Sequence, residues 1–134
     1  MSYTNNPTSI LAGTGITISP TTGTGANTIT VSASGTSSYA IRIATATPIT
    51  VNGTTDDVIS VQVPGPVAVA VTLPVGVLGS AFTIKDGLGL ASVATPITIT
   101  PQVGDTIDGA ATATISAPYG ALTFIYDGVE WLII

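Results

Sequence analysis

An all-β fold is predicted by three features of this 134-residue sequence. Runs of Val, Ile and Thr alternate with period two, 15 glycines and 9 prolines interrupt those runs at intervals, and nowhere is helical spacing sustained. Together they predict a compact antiparallel sandwich or barrel-like domain preceded by an N-terminal extended arm or hairpin.

Taken in order, residues 1–38 are rich in Thr, Gly, Ser and Asn and hold two strand candidates, Ile16-Thr17-Ile18-Ser19 and Thr28-Ile29-Thr30-Val31-Ser32. The intervening Pro20-Thr21-Thr22-Gly23-Thr24-Gly25-Ala26-Asn27 reads as their connection, which makes this region an arm or hairpin. Both strands follow a Gly-Thr-Gly string, but two copies make no solenoid. Residues 32–38, rich in Ser and Gly, read as a linker or as a loop within one domain. From Tyr39 onward apolar density rises and strand candidates recur roughly every ten residues, as in sandwiches and barrels, so residues 39–134 are expected to form a β-sandwich-like core. Val67-Ala68-Val69-Ala70-Val71-Thr72-Leu73 and Ile97-Thr98-Ile99-Thr100 place apolar residues two apart with small or hydroxyl residues between, the pattern of half-buried strands. Phe82-Thr83-Ile84-Lys85 leads to a strand end at Asp86-Gly87, and Leu122-Phe124-Tyr126 and Trp131-Ile133 supply C-terminal strands. The Trp131-Leu132-Ile133-Ile134 ending suggests a last strand covered on both faces, hence an oligomer.

Charge narrows the function. Only 7% of residues are charged, against about a quarter in ordinary soluble domains, so part of the surface is expected to be hidden by partners. Arg42 and Lys85 are the only cations against seven acids, net −5, which leaves no basic stripe for phosphates and argues against nucleic acid as a partner. Residues 64–79, the most apolar stretch, are broken by Pro64, Pro66 and Pro74, so no transmembrane helix and no membrane partner are expected. The N-terminal Met1-Ser2-Tyr3-Thr4-Asn5-Asn6-Pro7 lacks the basic and apolar regions of a secretory signal, and assembly in a cytoplasm is the expectation.

The chain has no cysteine and no histidine, which excludes disulfides, thiolate chemistry and Ser-His-Asp or Cys-His catalysis. A Ser-Lys variant would have to recruit Lys85, for which a turn salt bridge or a solvated position is the plainer reading. Acids gather at Asp56-Asp57, Asp86-Gly87, Asp105-Thr106-Ile107-Asp108-Gly109 and Asp127-Gly128, with Glu130 nearby. Asp-Gly is a strong hairpin signal, because Asp bonds its own turn and Gly accepts positive φ. Asp105 and Asp108 could instead hold a divalent cation, or with Glu130 supply a carboxylate pair, but calcium-loop spacing is missing. Gly13-Thr14-Gly15 and Gly87-Leu88-Gly89 lack the Lys-Ser/Thr ending of a phosphate loop. Tyr119, Tyr126 and Trp131 could form a carbohydrate platform, yet the last two fit core packing better. No catalytic residue, cofactor or metal site is expected, and the chain does not read as an enzyme.

One resemblance adds to this. Val71-Thr72-Leu73-Pro74, Phe82-Thr83-Ile84-Lys85-Asp86, Ile97-Thr98-Ile99-Thr100-Pro101, Gly104-Asp105-Thr106-Ile107-Asp108-Gly109 and Tyr126-Asp127-Gly128-Val129-Glu130-Trp131 follow one another as in a β-rich module of bacteriophage tail fibres, head fibres and capsid decoration proteins. The resemblance covers residues 58–134. Leu11-Ala12-Gly13-Thr14-Gly15-Ile16-Thr17-Ile18 and Asn27-Thr28-Ile29-Thr30-Val31 are similar to the hairpin that often precedes such modules. It implies a virion surface protein, commonly a homotrimer, with no chemistry at the motif residues. The chain is short for a fibre and has no heptad or collagen-like repeat, which favours a decoration or cement protein bound to the major capsid protein. The alternative is a tail-fibre or head-fibre module that binds a host-surface receptor, with specificity in residues 75–80, 88–95 or 112–119.

Overall fold

The computed structural model describes residues 16–20, 29–33 and 38–134, the first two segments as backbone alone. The chain divides into two units, residues 1–38 and 39–134. In the first, β1 (Ile16–Pro20) pairs antiparallel with β2 (Ile29–Ala33), with Ile18 opposite Val31. The sequence places strands at both positions. The expected connection between them, the Gly-Thr-Gly strings and most of the expected linker lie outside the described residues.

The second unit contains nine strands and no helix: β3 (Ile41–Ala44), β4 (Ile49–Thr50), β5 (Val58–Val61), β6 (Val69–Thr72), β7 (Ala81–Asp86), β8 (Ile97–Thr100), β9 (Ala113–Ile115), β10 (Ala121–Tyr126) and β11 (Trp131–Ile133). They form a five-stranded sheet ordered β11-β10-β7-β5-β3 and a four-stranded sheet ordered β4-β6-β8-β9. Neither closes into a barrel. The fold is all-β, as the sequence predicts, but the expectation of an antiparallel domain is corrected. From β3 to β8 the chain passes to the other sheet after every strand. Strands β3, β5 and β7 are consequently parallel neighbours, and so are β4, β6 and β8. A parallel pair needs a long crossover between its strands, and here each crossover contains a strand of the opposite sheet in place of a helix. Antiparallel pairing appears only at the end, in β8–β9, β7–β10 and β10–β11.

Alternation decides what each strand buries. Val69 and Val71 of β6, Phe82 and Ile84 of β7, Ile97 and Ile99 of β8, and Ile59 and Val61 of β5 point inward, while their neighbours point out. These side chains join Leu73, Ile107, Ile115, Phe124 and Trp131 in one cluster shared by the two sheets. Trp131 is fully buried, with its ring 5.7 Å from that of Phe82 and 5.2 Å from that of Tyr126, both tilted. The adjacent strand-like string begins later than its alternation suggests, since β6 starts at Val69 and Val67 is exposed. Gly76 faces the Tyr126 ring so closely that a Cβ there would collide with it. Among the described residues no helix is long and apolar enough to cross a membrane.

Phe124 is fully buried in the middle of β10 and has no polar group to satisfy. Phe124→Ala is expected to cost about 3–5 kcal/mol of folding stability, through lost burial and the cavity left behind. Urea unfolding followed by far-UV circular dichroism checks it, and a loss below about 1 kcal/mol would contradict the packing described.

Candidate functional site

Every acid of the second unit has a structural partner, and the partners explain the turns. Asp86, the last residue of β7, is buried, and its carboxylate accepts backbone N–H bonds from Leu88 (3.3 Å), Gly89 (3.0 Å), Ala91 (3.0 Å) and Tyr119 (3.1 Å). Burial raises the Asp86 carboxyl, but the donors of Ala91, Tyr119 and Leu88 outweigh burial and hold it below its ordinary value. Asp86-Gly87 therefore does not open a hairpin: it starts the crossover from β7 to β8. Asp127-Gly128 does form one, between β10 and β11. There Asp127 accepts from Val129 N and Glu130 N at 2.8 and 2.9 Å, Gly128 adopts φ 102°, and the Glu130 and Val129 donors lower the Asp127 carboxyl.

The fold brings Asp105, Asp108 and Glu130 to the same end of the unit, because Ile107 bridges both Ala110 and Trp131. Each carboxylate is engaged. Glu130 accepts from Thr106 Oγ1 (2.7 Å) and Gly109 N (2.6 Å), Asp108 accepts weakly from Ile133 N (3.3 Å), and Asp105 accepts from the Tyr126 hydroxyl at 3.4 Å. Burial, the charge and hydrogen bond of Asp105, and the charge of Asp127 raise the Tyr126 phenol. Among the described residues no group of three or more acids is arranged to hold a metal ion. The acids brace turns.

The two cations are occupied as well. Arg42 of β3 points inward and grips buried Asp56 through Nε (3.0 Å) and Nη2 (2.8 Å), while Nη2 also donates to Thr50 O. Asp56 accepts Asn52 N at 2.8 Å, so one carboxylate fixes β3, β4 and the turn into β5. Lys85 forms no salt bridge: its Nζ donates to the Tyr119 carbonyl and lies 5.8 Å from the centre of the Tyr119 ring. Of the aromatic residues considered as a platform, Trp131 is fully buried, Tyr126 is half-buried and Tyr119 is exposed. The three do not form an open surface together.

What the strands leave open is more informative than the acids. On the outward face of the five-stranded sheet one row of paired residues runs Ile41, Val58, Thr83, Thr123. A second runs Ile43, Ser60, Lys85, Ala121, and a third Ala81, Ile125, Leu132. Ile41 is 66% exposed and Ile43 60%. Lys85 is the one charge on these rows, and a bond of 2.9 Å joins the hydroxyls of Thr83 and Thr123. At one end of the face an open groove of about 460 Å³ is lined by Tyr39, Asp57, Ala81, Thr83, Ile125 and Ile134, among others. Leu132 and Ile133 are half-buried and Ile134 is exposed, so the described residues of the second unit do not cover the last strand on both faces. Alternation alone could have flagged the rows, since a strand that reads apolar at both parities has no polar face. The outward face of the four-stranded sheet differs, with rows Thr50-Thr72-Thr100 and Ala70-Thr98-Thr114.

No protein-family model matches the sequence. No curated protein gives a significant match either. The surfaces themselves must carry the functional argument. The loops at both ends of the unit add exposed apolar residues, Val75, Val77, Leu78 and Val129 at one end and Leu88, Leu90, Val93 and Tyr119 at the other.

Asp86 gives a test of the arrangement. Its folded carboxyl sits below the ordinary 3.8, so the stability it adds is complete above that pH and fades as pH falls through the folded value. Asp86→Ala, which strands several backbone donors, is expected to lose at least about 2 kcal/mol at neutral pH. Urea midpoints of wild type and Asp86→Ala should converge as pH drops below about 4. A difference that is flat with pH would contradict this role.

Proposed function

We propose that this chain is a structural bacteriophage virion protein, a capsid decoration or cement protein that binds the major capsid protein on the head surface as a homo-oligomer and stabilises the shell. The resemblance of residues 58–134 to the virion module implies three subunits. The observation that carries the reading is the nature of the exposed surface: a helix-free two-sheet unit whose larger sheet shows an apolar outer face, whose end loops are apolar, and whose acids are all engaged in its own turns. Such a surface suits permanent burial against neighbours on a lattice, where many weak contacts act together. On this reading residues 1–38 act as the arm, adding strands to the edge of an adjacent subunit. Catalysis has no part in it, since the carboxylates are engaged by backbone, hydroxyl and guanidinium donors of the unit itself.

A second reading, a tail-fibre or head-fibre module for host attachment, is favoured by one feature. Tyr119 is 63% exposed, with its ring over Gly89 at a loop end, where a ring could meet a receptor.

Cryo-electron microscopy of the particle with and without this chain separates the two. The expected result is density at many symmetry-related head sites, lost together with resistance to heat and osmotic shock; density at the tail alone would support the fibre reading. Removing residues 1–34 is expected to leave the second unit folded, because its core is built, among the described residues, from residues 44–133, while head binding in a pull-down falls below detection.

A further inference from the structure

We infer that the Asn52-Gly53 turn is a self-modification site: Asn52 is converted to aspartate and isoaspartate with Thr54 activating its carboxamide, and the product loosens the Arg42–Asp56 tie. The inference rests on this turn alone and stands apart from the function proposed above.

The pair is out of place as a turn signal. Asn-Gly ordinarily marks a two-residue hairpin, because both residues adopt positive φ there. Here residues 51–57 carry the chain from β4 in one sheet to β5 in the other, and neither Asn52 nor Gly53 has positive φ. A Cβ on Gly53 would rest on Pro74 at 3.4 Å, an ordinary contact. The fold therefore does not require glycine at 53. What the missing Cβ does provide is an unshielded backbone nitrogen beside an asparagine side chain. Asn52 is the only one of the four asparagines that glycine follows.

The surroundings of that nitrogen suit attack on the side chain. Asn52 and Gly53 are exposed, and Asn52 Oδ1 accepts from Thr54 N (3.0 Å) and Thr54 Oγ1 (2.8 Å). The Thr54 N–H can only donate, so the atom it faces is the oxygen. Neither Asn52 Nδ2 nor Gly53 N is hydrogen-bonded among the described residues. Gly53 N, on losing its proton to hydroxide, forms a bond to Asn52 Cγ. The carbonyl electron pair moves onto Oδ1, where the two Thr54 donors stabilise the developing charge. That pair returns as the Cγ–Nδ2 bond breaks, and the nitrogen takes a proton from water and leaves as ammonia. Water then opens the cyclic imide, at the side-chain carbonyl to give aspartate or at the backbone carbonyl to give isoaspartate.

The product matters because of what the turn carries. Asn52 N donates to Asp56 Oδ2 at 2.8 Å, and Asn52 O accepts Asp56 N at 3.1 Å. Asp56 is the buried carboxylate that Arg42 grips. In isoaspartate the chain runs through the side-chain carbon, one carbon longer, and the former backbone carbonyl becomes a free carboxylate. Both bonds to residue 56 are displaced, and a new negative charge stands close to Asp56, whose ion-pair partner is Arg42.

Incubation of the purified full chain at mildly alkaline pH tests this, with peptide mapping by mass spectrometry and an isoaspartate methyl-transfer assay as readouts. Conversion is expected at Asn52 ahead of Asn5, Asn6 and Asn27, faster as pH rises, and at least as fast in the folded chain as in urea. Thr54→Val should slow it by about tenfold, the worth of one hydrogen bond to a developing charge, while Thr54→Ser should keep the wild-type rate. Gly53→Ala should slow it by about tenfold or more without lowering the melting temperature. Far-UV circular dichroism shows that each variant is folded. The converted fraction, separated by ion exchange, should melt below the unconverted one. A folded chain that converts more slowly than the unfolded chain, a folded Thr54→Val that converts at the wild-type rate, or converted protein with an unchanged melt would each overturn the inference.

Discussion

The second unit depends most on the carboxylate at the end of β7. That strand is the centre of the five-stranded sheet, parallel to β5 on one side and antiparallel to β10 on the other. Asp86 stands at the point where the winding pattern ends, and its two oxygens accept N–H groups from the crossover to β8 and from the turn that leads into β10. A buried charge is tolerated when directed donors replace the water it has lost, and here all of those donors are backbone. One side chain thus fixes both the exit of the parallel winding and the entry of the antiparallel closure. Arg42 and Asp56 do a comparable job at the other end of the winding, tying β3 to β4 and to the turn into β5.

This economy explains how so weakly charged a chain remains specific. Its few charges are spent on turns and crossovers, while β-branched alternation builds the sheets. The outer faces are consequently left to uncharged residues, and the two are unlike. One carries Ile, Val, Leu and Ala interspersed with Thr83, Thr123, Ser60 and the single Lys85, the other carries threonine rows whose hydroxyls are at home in water. A two-sheet unit with one more apolar and one hydroxyl-rich face has a built-in sidedness.

Much of this could be read in the sequence. Strands β6, β8, β10 and β11 follow from alternation and from the spacing of Gly and Pro, and the core packing of Trp131 follows from its place in the C-terminal strand with Ile133. The parallel winding could not be read, because period-two alternation is the same whichever way the neighbouring strand runs. Strand β3 was obscured by Arg42, an inward-facing charge that makes sense only once Asp56 is placed beside it, and β4, two residues long, is too short to show a period. Asp86-Gly87 reads as a hairpin because the local chemistry of a turn does not reveal to which sheet the chain goes next. The acidic cluster around Asp105, Asp108 and Glu130 was legible as a cluster, but its meaning lay in donors such as Gly109 N and Ile133 N that no sequence pattern announces.

The winding also bears on how the chain reaches its structure. The β10–β11 hairpin joins Tyr126 to Trp131 across a short turn and can close early, but Ile41 must find Val58, and Val58 must find Thr83, across crossovers that are ordered only when the opposite sheet exists. Each sheet is thus the scaffold on which the other is registered, and partial winding is of little use. So non-local a winding is expected to fold slowly and cooperatively, and it leaves β3 and β4 as edge strands of the finished sheets.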